Sequence, residues 1–327
     1  MNLIAGIDIG GTKCAVSLGR SNSSGVELIE KTVFPTQKSP DETICIIIQS
    51  LKELVEQHSP GVLPDVIGIS CGGPLDLKNG LVLSPPNLPD WTHVDLFSPI
   101  QKAFPVPIGL QNDANACALA EWKWGAGRGS KNMVFLTFGT GMGAGLILNG
   151  KLYTGANDMA GEIGHIRLSD TGPMGYGKPG SFEGYCSGGG IANLAREMAR
   201  EELQRGLVPG YCSSLEDLDE VSAEIVGAAA QKGDPLALEV FHIVAQKLGL
   251  GLAVLVDILN PECIIIGSIY KRQQELLEPV MLDVLRKEAH PVSLGMCKVI
   301  PSSLGDQVGD LASLSVAMAM LESESLD

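Results

Sequence analysis

A chain of 327 residues is too long for one ordinary core and about right for two α/β domains. Hydrophobic residues at 45% and charged residues at 19% are a globular balance and exclude a disordered chain. A formal net charge of -15, with no basic run, argues against nucleic acid as a partner.

The first residues, MNLIAGIDIGGTK, lack the basic start and long apolar stretch of a signal peptide. Residues 3–9 are a short apolar run ending at two glycines, which predicts a strand. Residues 14–19 and 26–34 continue that pattern as a glycine-turned antiparallel meander. Apolar positions 44, 47, 48, 51, 54 and 55 have helical spacing, so 41–57 is read as a helix with Asp41 near its start. A strand follows at 65–70, then a long loop through 84–91, then a strand at 106–110 running into Asn112 and Asp113. A helix is expected over 114–123 and strands at 132–138 and 145–148, the last closed by an Asn149-Gly150 hairpin turn. This second strand–glycine turn–strand echoes the first, as either an internal duplication or a coincidence of common hairpins. Residues 172–190 read as a glycine-rich loop, and 190–205, 215–231 and 234–256 as helices. A buried strand at 262–266 and helices at 276–288 and 310–321 complete the chain. No apolar run approaches the ~18 residues of a membrane span. The eight cysteines show no C-x-x-C spacing and lie mostly in apolar segments, as buried thiols of a reducing compartment do. The expectation is a cytoplasmic α/β protein whose domain boundary is a hinge, since no low-complexity linker divides it.

Two glycine turns carry the chemistry. Asp8-Ile9-Gly10-Gly11-Thr12-Lys13 sits where a strand reverses. Its glycines let backbone N–H groups approach an anion, Thr12 adds a hydroxyl and Lys13 a cation. Asp8 would repel phosphate unless a divalent ion lay between them, which suggests Mg²⁺, held through water. Alone, the segment also fits a hairpin with incidental polar residues. The second turn, Gly139-Thr140-Gly141-Met142-Gly143, contains a dinucleotide-type glycine pattern. That pattern must open a helix, and here a strand and hairpin follow, so a Rossmann site is rejected.

Asn112-Asp113 ends a strand and opens a helix. A carboxylate there is favoured in its charged form and can serve as a general base, although a plain N-cap is the commoner role. Gly161-Glu162-Ile163-Gly164-His165 sets a carboxylate and an imidazole three apart, a pair suited to a polyhydroxylated ligand or to a surface loop. Glu183, and more weakly Asn87, are further polar candidates.

Together these motifs resemble the ROK (repressor, open reading frame, kinase) family of sugar kinases and sugar-responsive repressors. The likeness runs through GIDIGGTK (6–13), GISCGGPLD (68–76), PPNLPDW (85–91), QNDANACALAEWKWGAG (111–127), FGTGMGAGL (138–146), GEIGH (161–165), NPECIIIG (260–267) and LGDQVGD (304–310). The resemblance implies the two-domain actin-like/hexokinase (ribonuclease H-like) α/β ATPase fold with an interdomain cleft. Its expected division is 1–118 plus 311–327 against 119–310. ATP and Mg²⁺ would lie against Asp8, Gly10, Gly11, Thr12, Lys13, Gly139, Thr140, Gly141 and Gly143, with Gly267 near the adenosine. The sugar would meet Asn87, Asn112, Asp113, Glu162, His165 and Glu183. Asp113 would free the sugar oxygen, usually O6, for attack on the γ-phosphate. The family also commonly forms homodimers.

The chain departs from the family where three cysteines usually join the histidine around structural zinc. Met174, Tyr176 and Ser181 stand at those places, so no zinc is expected and His165 is left for the sugar. Ser268 replaces a common second glycine, with a small expected effect on adenosine contacts. Three other functions compete. A repressor needs a helix-turn-helix ahead of the first glycine turn, and seven residues before Asp8 leave no room. A silent sugar-sensing regulator is disfavoured by Asp8, Thr12 and Asp113. An actin-like ATPase is disfavoured by the Glu162, His165 and Glu183 set.

Overall fold

The computed structural model describes residues 2–22 and 25–324. The chain packs into two compact units, Met1–Gly129 with Gly145–Ala160 and Ser303–Asp327, and Ser130–Ala144 with Gly161–Ser302. Residues 119–129, 145–160 and 303–310 thus group with the first unit, unlike the expected division. A boundary at 118 would cut the helix Asp113–Trp124 midway. Residues 1 and 325–327, which the expected first domain takes in, lie outside the described residues.

The first unit is built on a five-stranded sheet. β1 (Asn2–Ile9) pairs antiparallel with β2 (Lys13–Asn22), and β2 with β3 (Gly25–Pro35), as the meander predicts. On its other side β1 pairs in parallel with β4 (Val66–Cys71), and β4 with the strand Ile108–Asn112. Side chains alternate across β1. Ala5, Ile7 and Ile9 face a core completed by Ile44, Ile47, Leu51 and Leu54 of the helix Pro40–His58. That helix starts where Ser39 Oγ accepts from Glu42 N at 3.4 Å, with Pro40 in its first turn. Cys45 lies on its exposed face, contrary to the expectation of a buried thiol, because 45 falls off the 44/47/51 stripe.

The opposite face of the sheet has no side chains to offer at its centre. Gly6, Gly68 and Gly109 stand side by side across three parallel strands. The helix Val308–Glu324 lies on them so closely that a Cβ at Gly68 would sit 2.1 Å from the Ser313 carbonyl and 2.3 Å from Ala317 N. Ile4, Val66, Leu314 and Ala317 fill the space around this row. Glu121, fully buried on the helix Asp113–Trp124, accepts from Ala126 N at 2.7 Å, Leu304 N at 3.0 Å and Ser303 Oγ at 3.2 Å. A small sheet of Leu75–Asp76, Leu81–Leu83 and Thr92–Asp95 flanks the 84–91 loop on both sides.

In the second unit, Cys263–Ile266 runs parallel between Met133–Leu136 and Lys298–Pro301. This parallel trio repeats the one in the first unit. The hairpin Ala144–Leu148/Lys151–Tyr153, which from Gly145 onward groups with the first unit, turns at Asn149 (φ 53°) and Gly150 (φ 73°), as expected. The helix Pro235–Leu259 is long and apolar enough by length and composition to cross a membrane, which corrects the sequence expectation. Charges at Glu239, Lys247 and Asp257 break its apolar run in the sequence. Val240, Phe241, Val244, Leu248 and Leu252 are buried, and the helix packs against the helix Gln274–Glu288. The segment expected as one helix over 215–231 is a 3₁₀ turn, Glu216–Glu220, and a helix, Ala223–Gln231, because Ser222 caps the second at Ile225 N.

Candidate active site

In the first unit, strand register sets the chemistry. Asp8 on β1 lies opposite Ser70 on β4, and Ser70 opposite Gln111, so all three parallel strands end at one edge of the sheet. Open α/β sheets bind ligands outside such carboxyl ends. Asp8 is partly buried there, and the Ser70 hydroxyl donates to it. Burial raises its carboxyl from the usual 3.8 to about 6, the charges of Asp113 and Asp310 add to the rise, and Ser70 and Lys13 oppose it.

The glycine turn that follows is held from outside. Gly10 N donates to the Lys13 carbonyl at 3.1 Å, Thr36 Oγ1 donates to the Gly10 carbonyl at 2.6 Å, and Thr36 N to the Thr12 carbonyl at 3.1 Å. Gly11, Thr12 and Lys13 are exposed. Asn87 packs on this turn: a Cβ at Gly11 would lie 2.3 Å from its carbonyl oxygen, and one at Gly72 would lie 3.0 Å from its Oδ1. A Cβ on the next glycine, Gly73, would lie 3.3 Å from Asn112 Nδ2. Asn87 and Asn112 therefore flank one glycine pair, close enough that a Cβ on either glycine would press on an amide.

Asn112, not Asp113, is the N-cap. Its Oδ1 accepts from Ala114 N at 2.8 Å and Asn115 N at 3.3 Å, leaving Nδ2 to face Gly73. Asp113 is the first helical residue, and its Oδ1 also accepts from Ala114 N at 2.8 Å. Its side chain is open to solvent, so a substrate can reach it. The protein around it nevertheless disfavours its charge and raises its pKa, with the Ala114 N–H opposing, where the capping argument expected a carboxyl readily ionised. Burial, with Asp113 and Asp8 nearby, also pushes the Cys71 and Cys117 thiols far up, so neither is a nucleophile here.

The second unit holds the other glycine turn. Thr137 Oγ1 accepts from Gly143 N at 2.9 Å, Gly139 N donates to the Thr137 and Gly141 carbonyls, and Met142 N donates to Glu183 Oε2 at 3.0 Å. Gly139 and Gly143 thus shape the turn with their N–H groups. Those of Thr140 and Gly141 make no hydrogen bond among the described residues. The GEIGH segment packs directly on this turn. A Cβ at Gly161 (φ 97°) would lie 2.0 Å from the Ala144 carbonyl, and one at Gly164 would lie 2.4 Å from the Met142 carbonyl. Glu162, His165 and Glu183 are in this way tied to the 139–143 turn within one unit, with Glu183 also 2.9 Å from a Cβ placed on Gly141.

Beside the turn is a cavity of about 690 Å³, lined among others by Gly139, Thr140, Gly188, Gly189, Ser268 and Arg272. The helix Gly188–Gln204 opens onto it, with Ser187 Oγ accepting from Gly190 N at 2.9 Å and Gly188 N donating to the Gly139 carbonyl at 2.7 Å. The Gly189 N–H, which makes no hydrogen bond among the described residues, is the donor at this start that suits an anion. Gly267 is one residue from this lining, its N–H on the Leu136 carbonyl at 3.0 Å. Ser268 has φ 52° and ψ −111°, a conformation for which glycine is the usual residue, and its Oγ accepts from Arg272 at 3.3 Å. Sequence reasoning missed Gly188, Gly189 and Arg272. The S-G-G-G run before an apolar-periodic helix was the available signal for the glycines, whereas nothing local marks the arginine.

The chain matches the model of the ROK family over residues 4–319. It is 31% identical over 314 residues to a glucokinase of Thermotoga maritima, covering 96% of each chain. It is 28% identical to a xylose repressor of Caldicellulosiruptor bescii, covering 97% of this chain and 78% of that one. Its structure is similar, with a TM-score of 0.75 and 28% identity, to a ROK family glucokinase from Streptomyces griseus in complex with glucose and AMPPNP, covering 97% and 99% of the two chains.

Proposed function

Because the chain belongs to the ROK family and has its two-domain actin-like α/β fold, we propose that it is an ATP-dependent sugar kinase. The acceptor is a hexose or N-acetylhexosamine hydroxyl, most often O6, with glucose first among candidates by similarity to glucokinases. The observation that carries this reading is the strand register that sets Asp8 and Asn112-Asp113 at one sheet edge. An actin-like ATPase needs the first, but a kinase needs both.

Each group then has a role. Asp113 accepts the proton of the sugar hydroxyl, and Asn112 Nδ2 and Asn87 donate to neighbouring hydroxyls. Glu162, His165 and Glu183 supply the second unit's contacts to the same sugar. Gly11 and Thr12 of the first turn, and Thr140 and Gly141 of the second, offer donors to the phosphates. The cavity beside Ser268 takes the nucleoside. Asp8 would hold Mg²⁺ through water, and the ion would offset charge on the β- and γ-phosphates. The partly buried, solvent-reached carboxylate fits such an outer-sphere role. Phosphoryl transfer asks mainly for this positioning and charge stabilisation. A cytoplasmic location and a homodimer belong to the same proposal.

The similarity to a xylose repressor favours a second reading, a sugar-binding regulator without turnover. Coupled ADP release, measured over a panel of hexoses and N-acetylhexosamines with ATP and Mg²⁺, separates them. Sugar-dependent release supports the kinase. Release that no sugar changes overturns it.

A further inference from the structure

The family resemblance implies structural zinc at His165, and the donor set in this chain does not fit that ion. A thioether, a phenol and a hydroxyl stand where three thiolates belong. The hydroxyl is already committed. Ser181 is fully buried, accepts from Gly184 N at 3.1 Å and donates to the Gly175 carbonyl at 3.4 Å. The thioether of Met174 is half exposed, on the outside of the segment.

We propose that residues 165–185 form a metal-free clamp in which Tyr176 and Lys178 position His165. Met174–Gly175 and Lys178–Pro179 form a two-strand hairpin whose turn residues, Tyr176 (φ 45°) and Gly177 (φ 73°), are both left-handed. That turn directs the Tyr176 ring against the His165 imidazole, edge to face, with centroids 4.9 Å apart and planes at 83°. From the same hairpin, Lys178 Nζ donates to the His165 carbonyl at 2.6 Å. One residue thus holds the ring and the other the backbone that carries it. The hairpin is laced back on both sides: Arg167 donates to the Pro179 carbonyl at 3.0 Å, and Phe182 N to the Ile166 carbonyl at 2.8 Å. Glycines let the layers close where a side chain would block them, with a Cβ at Gly175 only 2.3 Å from Gly184 N and one at Gly180 only 2.2 Å from the Ser169 carbonyl. Tyr176 is a positioning residue: it acts on the sugar through His165, and this part of the inference rests on the kinase reading.

The test uses the full chain and the Tyr176→Phe, Tyr176→Ala and Lys178→Met variants. Metal analysis and thermal unfolding, with and without chelator, are expected to give no stoichiometric zinc and the same midpoint. One zinc per chain, or a midpoint lost to chelator, overturns the clamp. Tyr176→Ala is expected to raise the sugar Kd and KM about fivefold with kcat nearly unchanged, and Tyr176→Phe to restore both, since the ring edge is what acts. It is also expected to move the NMR signal of the His165 ring protons, assigned by His165→Gln, with Phe again restoring it. An unmoved signal overturns the Tyr176 contact whether or not sugar binds. A wild-type protein that turns over no sugar but gives the expected metal, unfolding and NMR results would refute the kinase reading and leave the clamp standing.

Discussion

Replacing Asp113 by Asn separates catalysis from folding in one step. The helix it opens keeps its cap, because Asn112 Oδ1 holds Ala114 N and Asn115 N, and the variant's amide oxygen at position 113 can still share Ala114 N as the carboxylate does. Losing a cap costs about 1 kcal/mol, and that term is absent here. What goes is a favourable charge at a helix start, worth about 0.3–1 kcal/mol, against relief of a carboxylate whose ionisation the surrounding protein opposes. The two partly offset, so the melting midpoint should shift by no more than about 2–4 °C. The amide cannot accept the proton of the sugar hydroxyl, and a positioned base is worth ~10²–10⁴ in rate, or about 3–5 kcal/mol of barrier. Coupled ADP release should therefore show kcat at least about a hundredfold lower, while calorimetry shows sugar binding within about threefold of wild type. In the wild type, kcat/KM should fall on the acid side through a pKa above the usual carboxylate value, and the variant should lose that limb. Turnover within tenfold of wild type would remove Asp113 as the base.

The raised Asp8 carboxyl makes a stability claim with a definite sign. The folded state holds this proton more tightly than the unfolded chain, so the contribution is complete below about 3.8 and is lost as pH rises through about 6. Above that the charge destabilises by up to about 3 kcal/mol, so Asp8→Asn should raise the melting midpoint at pH 7.5 in metal-free buffer while abolishing Mg²⁺-dependent turnover. An unchanged or lower midpoint contradicts it. Gly68→Ala sets a methyl against main chain on the helix Val308–Glu324 and should destabilise the first unit by at least about 2 kcal/mol in urea unfolding, with a wild-type midpoint as the contrary result. Ser268→Gly removes a strained conformation and should raise the midpoint by about 2–4 °C, and a drop would mean that its bond to Arg272 matters more than the strain.

Much of the fold was legible wherever a local rule governs. Short apolar runs ending in glycine became strands, the 44/47/51/54 spacing became a helix, and Asn149-Gly150 made its hairpin. The first unit's candidate residues were legible for the same reason: Asp8 and Asn112-Asp113 are written at strand ends, and register brings those ends to one edge of the sheet. Glycine misled where its purpose is close approach rather than turning. Residues 172–190 read as loop, yet hold a hairpin, the short helix Phe182–Tyr185 and the start of the helix Gly188–Gln204. No sequence rule separates a glycine needed for φ from one such as Gly175, where a Cβ would fall 2.3 Å from Gly184 N. Arg272 was silent because its meaning lies in a cavity wall assembled from distant segments. The long helix Pro235–Leu259 was underrated because scattered charges interrupt a run that is continuous only on one face.

The bare row at Gly6, Gly68 and Gly109 also constrains when this protein can finish folding. Its occupant, around Ser313 and Ala317, is separated from these strands in the chain by the whole of the second unit. Until that segment is made, the nascent sheet presents Ile4 and Val66 uncovered, an apolar strip on which a chaperone can settle. The other unit, whose pieces all fall between residues 130 and 302, meets no such delay and can be complete while its companion still waits.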